Sequence, residues 1–254
     1  MVKKPLNHTA HKGDFFVATL QNKTLDTYEE NLQYLLNYIK NSKADLIVAP
    51  ELCLTNFDYE NFEEASRFYE KALGELLTLI DEQIVVLTMT IKEDEKFFNR
   101  AVVIHQHQII HTQDKHKLFK LGDEEKYFAV GDKNKIVKFK INTITYAILI
   151  CFELRFKELW KQIEGADVVL IPARWGKSRQ MHLETLSRAL AIMNQCFVVV
   201  SNASDEDMAL ASAIISPWGE VCADETLAVI EKKITLKDVK RVCRLINVEQ
   251  DSPQ

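Results

Sequence analysis

Short apolar runs along the chain alternate with longer stretches in which apolar residues recur at helical spacing. The runs fit buried strands and the spaced stretches fit amphipathic helices. Residues 15–20 read as a first strand. Residues 25–40 read as a helix, with Leu25, Tyr28, Leu32, Leu35, Leu36 and Ile39 on its apolar side. A second strand, 45–49, ends at Pro50-Glu51, and 62–80 is helical. Strands follow at 84–91, 100–105 and 108–112. Residues 115–131 are polar and irregular, as in a long active-site loop. Strands at 136–139 and 144–150 precede a helix at 154–163. The buried strand 167–171 is closed by Pro172, and a helix at 181–195 leads into a strand at 196–201. Residues 211–216, a turn at Pro217-Trp218-Gly219, and 226–234 finish the sheets. Hairpin-like pairs interrupt the strand–helix alternation. This α/β pattern fits a sheet-on-sheet core with helices outside better than one parallel sheet.

Composition narrows the picture. The chain has 254 residues, 47% hydrophobic and 27% charged, enough for one large domain with a proper core. No repeat or linker divides it, so one domain over 1–254 is expected, with its core at about 14–245 and a tail at 246–254. Seven glycines are few for this length, which argues against long Gly-rich loops. A net charge of -5 leaves no electrostatic footprint for nucleic acid. Residues 1–14 are polar and basic without an apolar stretch, unlike a secretory signal. The longest apolar runs, about ten residues, fall short of a bilayer span. The five cysteines, Cys53, Cys151, Cys196, Cys222 and Cys243, are odd in number and scattered. They point to a reducing cytoplasm rather than a disulfide framework. With no Cys-x-x-Cys pair, a structural zinc site is not expected.

Three segments place a reactive group just after a strand. Glu51 follows Leu46 to Pro50, Lys115 follows Ile109 to Thr112, and Cys151 follows Ile148 to Ile150. Each has a plain alternative. Free cysteine is among the most buried residue types, a glutamate after proline often caps a loop, and Lys115 sits in a charge run with Lys117 and Lys120. Strand ends on one side of a sheet can nevertheless converge. There the lysine would favour thiolate over thiol and stabilise an oxyanion, and the glutamate would move protons. His105 and His107 lie two apart on a strand without a carboxylate or cysteine partner and read as surface residues.

These residues resemble the signatures of the carbon–nitrogen hydrolase (nitrilase) superfamily, in order and over nearly the whole chain. Val48-Ala49-Pro50-Glu51, Asp114-Lys115-His116-Lys117-Leu118-Phe119 and Cys151-Phe152-Glu153-Leu154-Arg155-Phe156 carry the likeness. Glu124 to Gly131 is similar to the loop bearing a second glutamate, 182–195 to the helix after the cysteine, and Ser216 to Gly219 to a late hairpin turn. The resemblance implies a four-layer αββα sandwich, a homodimer or higher homo-oligomer, and no cofactor or metal. It implies Glu51 as general base, Lys115 as oxyanion stabiliser and Cys151 as nucleophile. Glu124, with Glu125 as the alternative, would orient the lysine or the substrate, and the Phe152 N–H would complete the oxyanion hole.

The chain departs from the pattern in places. Lys117 stands where histidine is usual, and a second ammonium there would depress both lysines or point to solvent. Phe152, Glu153 and Lys157 replace the usual Tyr, Asp and Pro, and Ala147 a glycine. Glu153 and Arg155 are expected to form a structural charge pair. Leu190 and Met193 replace an Arg–Glu pair and are expected to share one helical face. The loop 172–179 resembles that of ω-amidase-like members. Arg174, or else Lys177 or Arg179, would grip a substrate carboxylate, and Trp175 would wall the pocket or pack in the core. The leading substrate is therefore a small carboxylated amide such as a 2-oxo acid ω-amide. Alternatives are N-carbamoyl amines, simple aliphatic amides and deaminated glutathione, with nitriles last. A catalytically weak scaffold or binding protein on the same fold is the reading from another class.

Overall fold

A computed structural model describes residues 14–246. The remaining residues of the N-terminal stretch 1–14 and of the tail 246–254 lie outside the described residues. The first sheet holds β1 (Asp14–Leu20), β2 (Leu46–Val48), β3 (Ile84–Glu93), β4 (Lys96–His105), β5 (Gln108–Asp114) and β12 (Val229–Thr235). Its order is β12-β1-β2-β3-β4-β5. The second contains β6 (Phe139–Ile141), β7 (Ile144–Ile148), β8 (Val168–Ala173), β9 (Phe197–Asn202), β10 (Ala213–Ile215) and β11 (Val221–Cys222), in the order β11-β10-β9-β8-β7-β6. β1, β2 and β3 run parallel, as do β7, β8 and β9, with antiparallel strands at the flanks.

Alternation along the strands builds the layers. Leu46 and Val48 of β2 join Val17, Val86 and Val103 in a core shared with Tyr146, Ile148, Val169 and Val198 of the second sheet. Ile47, between them, faces the other way with Ala18, Val85 and Val102. That face is covered by α1 (Tyr28–Asn41) and α2 (Phe62–Leu79) through Leu32, Leu35, Ile39, Ala72 and Leu76. On the far side α4 (Lys157–Gln162) and α5 (Gln180–Met193) bury Leu159, Leu183 and Leu190. The result is the expected helix–sheet–sheet–helix sandwich.

Several boundaries move for physical reasons. α1 starts at Tyr28 because Thr27 and Glu30 form a reciprocal capping box. The loop 115–131 contains a short helix, α3 (Glu124–Tyr127). The helix expected at 154–163 splits into a 3₁₀ turn, Cys151–Arg155, followed by α4. The strand expected at 136–139 lies at β6. β11 and α6 (Lys237–Leu245) were not foreseen. His105 is buried, and its Nδ1 lies 3.2 Å from the Gln83 carbonyl, so only His107 is a surface residue. Leu190 is buried and Met193 exposed, which corrects the expectation of a shared face.

Candidate active site

The carboxyl ends of β2, β5 and β7 carry the three residue types. The Glu51 N–H donates to the Ala173 carbonyl at the end of β8 (3.3 Å), which ties one sheet to the other there. Leu52 follows in the left-handed region (φ 47°), and its N–H donates to Thr88 Oγ1 at 2.7 Å. Lys115 leaves β5 with its N–H on the Asn99 carbonyl (2.9 Å). The Gly131 N–H in turn donates to the Lys115 carbonyl at 2.9 Å. A Cβ on Gly131 would fall 2.3 Å from the Asp114 carbonyl oxygen, so only glycine permits this closure. Cys151 opens its turn at φ 51°, an unfavourable angle for a residue with a Cβ.

Lys115 Nζ lies 2.7 Å from Glu51 Oε1 and 2.7 Å from Glu124 Oε1, and all three side chains are out of water. Asn99 Nδ2 donates to the same Glu51 oxygen at 2.8 Å. Glu51 Oε2 receives no such bond, and the Cys151 thiol interacts with this carboxylate. Glu124 Oε2 accepts the Phe119 N–H at 3.1 Å. Glu125 is exposed and lies 3.6 Å from Lys120, so the structure puts Glu124, not Glu125, beside the lysine. Asn99 was missed. Its signal was an amide inside the otherwise apolar or charged run of β4.

Two carboxylates surround one ammonium, and that sets the ionisation. Burial opposes a charge on Lys115, but Glu51, Cys151 and Glu124 outweigh it and raise its pKa. Burial raises Glu124 to about 7, against the pull of Lys115. Burial and the negative charge of Glu51 push the Cys151 thiol well above its usual range, more than Lys115 can offset. The resting group is therefore a thiol beside a base. Lys115 does favour the thiolate, as expected, but burial and Glu51 outweigh it.

One other expectation is overturned, and the Lys117 alternatives resolve toward the surface. Glu153 does not pair with Arg155. It is fully buried and accepts the N–H groups of Ile150 and His116, each at 2.7 Å. Lys117 turns away from Lys115 to Glu158 (3.2 Å) and over the Phe156 ring (4.4 Å).

Beside Cys151 lies a narrow cavity of about 20 Å³ that opens to solvent, lined by Phe119, Phe152, Arg155, Arg174, Trp175 and Arg179. Arg174 does not offer the bidentate edge expected of it. Its Nη1 is 2.5 Å from Asp205 and its Nη2 bonds Thr24 Oγ1, leaving Nε alone without a partner. Trp175 is 3% exposed and also lines the cavity, and its Nε1 lacks a partner. Arg155 lies over the Trp175 ring (4.6 Å) and touches His182 Nδ1 (2.9 Å), while Arg179 lies over Phe119 (5.0 Å). Among the described residues neither guanidinium forms an ion pair with a carboxylate. Lys177 lines a different groove with Gln180 and Asp205.

The sequence profile of the carbon–nitrogen hydrolase family matches residues 16–243. The chain belongs to this family. A carbon–nitrogen hydrolase of this kind cleaves amide C–N bonds. The chain is 31% identical over 226 residues to a 2-oxoglutaramate amidase of Bacillus subtilis, covering 84% of this chain and 86% of the relative. Its fold is similar to that of a Saccharomyces cerevisiae nitrilase-superfamily protein, with a TM-score of 0.82, 18% identity and 94% and 96% coverage of the two chains. A Xanthomonas campestris CN-hydrolase superfamily protein gives a TM-score of 0.80 at 21% identity, covering 95% and 98%.

Proposed function

We propose that this chain is an amidase for a small amide with a carboxylate at its far end, of which a 2-oxo acid ω-amide is the leading example. The observation that carries the reading is the lining of the cavity beside Cys151: three arginines and no acidic side chain. Arg155 and Arg179 are uncompensated, and the unpartnered Arg174 Nε and Trp175 Nε1 add donors for substrate oxygens. Guanidinium pairs suit carboxylates. The name of the 31% identical relative supports the same substrate class.

The chemistry follows from the ionisation of the site. The Cys151 thiol gives its proton to Glu51 as Sγ bonds to the amide carbon. Lys115 and the Phe152 N–H hold the oxyanion. Collapse breaks the C–N bond, and Glu51 returns the proton to the leaving ammonia. Glu51 then deprotonates a water that cleaves the thioester, and the proton goes back to Sγ as the carboxylic acid departs. Glu124 keeps Lys115 in place. No step draws on a cofactor.

Arg179→Met is expected to raise KM for a carboxylated amide about 10–100-fold, the loss of a charge-assisted pair. Turnover of a neutral amide of the same length should change little. Equal losses on both amides in steady-state ammonia assays would sink the carboxylate reading. No release from any amide or carbamoyl compound would favour the scaffold.

The homodimer rests on an apolar patch. Ile192 and Met193 of α5 are 47% and 65% exposed, and Trp218 and Val221 of the late hairpin 40% and 50%. Ile192 lies against Gly219, which makes the patch continuous. Met193→Glu should halve the mass seen by light scattering, whereas a monomeric parent would end this proposal. Cys53, Cys151, Cys196 and Cys222 form no disulfide among the described residues, which fits a reducing cytoplasm and can be checked by cell fractionation. No helix among the described residues is long and apolar enough to cross a membrane.

A further inference from the structure

We propose that Glu153 is a positioning residue that sets the nucleophile and the lysine in register. One carboxylate accepts backbone N–H groups from two different strand ends, with the Lys117 backbone also bonding to it. One belongs to Ile150, immediately before Cys151, and the other to His116, immediately after Lys115 (both 2.7 Å). The Glu153 N–H also donates to the Ile150 carbonyl at 3.0 Å, so the residue before the strained cysteine is held from both sides. The inference rests on the roles proposed above for Cys151 and Lys115.

The chemistry of the contact argues against a mere turn cap. Glu153 is fully buried, and its hydrogen-bonding partners are backbone amides rather than a cation. Burying a carboxylate in this way is costly. A neutral side chain could cap one N–H at less expense. The His116 N–H meets Oε1 and the Ile150 N–H meets Oε2, so both are satisfied only when both terminal atoms are acceptors. The spacing it fixes is the one the reaction needs, because the attacked carbon must meet Sγ while its oxygen meets Nζ. Burial also raises Glu153 to about 7, a sign that the charged form is held at a cost.

The test compares carboxylate with amide at constant size in the full-length chain. In Glu153→Gln the amide oxygen can accept one N–H, but the NH₂ group faces the other and breaks that tie. kcat for the carboxylated amide is expected to fall about 100-fold, the usual effect of a small misplacement. KM should stay within about threefold, because Arg155 and Arg179 are untouched. Glu153→Asp, which keeps two acceptors, should recover at least tenfold of that loss. Circular dichroism and melting temperature check the fold. If Glu153→Gln does not fold, Glu153→Asp against Glu153→Asn gives the same comparison. Equal kcat for carboxylate and amide in a folded pair would overturn the proposal, as would a loss confined to KM. A parent protein that hydrolyses no amide would instead defeat the functional reading, so the two failures are separable.

Discussion

Cys151→Ala should end ammonia release from every amide while leaving a folded protein. The expected fall in kcat is on the order of 10⁴-fold or more, since no other group beside the cavity can form the acyl intermediate. The stability change should stay within about 1 kcal/mol, because the substitution removes one atom and no ion pair. Cys151→Ser is the sharper variant. It keeps an O–H beside Glu51, but the hydroxyl is far less acidic than a thiol. A carboxylate is a weak base for a hydroxyl, so serine should rescue little. Mass spectrometry of protein mixed with substrate and quenched should show an acyl adduct on the parent and none on either variant. Turnover by Cys151→Ala within tenfold of the parent would remove the cysteine from the mechanism.

The strand ends that carry Glu51 and Cys151 were legible because each ends a run of buried residues, and such runs have few alternative structures. The two-sheet core was legible for the same reason. β5, before Lys115, is mostly exposed and was legible from its apolar and β-branched residues alone. α6 was not. Its sequence, Lys237-Asp238-Val239-Lys240-Arg241-Val242, puts Val239 and Val242 in the core on one sharply apolar side, but the helix runs only 9 residues, short of the length at which spacing alone marks a helix. The arginines show a different limit. Arg174, Arg155 and Arg179 are equally basic in sequence, and what separates them is Asp205, 31 residues away, which neutralises Arg174. Pairing at that range leaves no local pattern. The supposed Glu153–Arg155 pair failed at short range. Residues two apart on a tight turn point different ways, and Glu153 turned inward to amides that only the fold brings near.

Lys115→Met should cost both activity and stability, and the two losses can be separated. In the parent, one ammonium holds two buried carboxylates at 2.7 Å each. Removing it leaves both without a counter-charge, a change that typically destabilises by about 3–5 kcal/mol. kcat should drop about 10³-fold or more, as the oxyanion loses its cation. The stability loss should depend on pH, with a sign fixed by Glu124. That carboxyl already titrates at about 7 instead of 4.5 because it is buried. Without Lys115 its proton is held more tightly still. A carboxyl with a raised folded pKa lends full stability below its unfolded pKa and loses it as pH rises through the folded value. The Lys115→Met protein should therefore lie closest to the parent near pH 5 and fall furthest behind above pH 7. Adding Glu124→Gln removes one of the stranded charges. The double variant should recover part of the lost melting temperature at pH 8 and none of the activity. A melting deficit equal at pH 5 and pH 8 would contradict the charge assignment. Near-normal turnover in Lys115→Met would show instead that the lysine only braces the two glutamates.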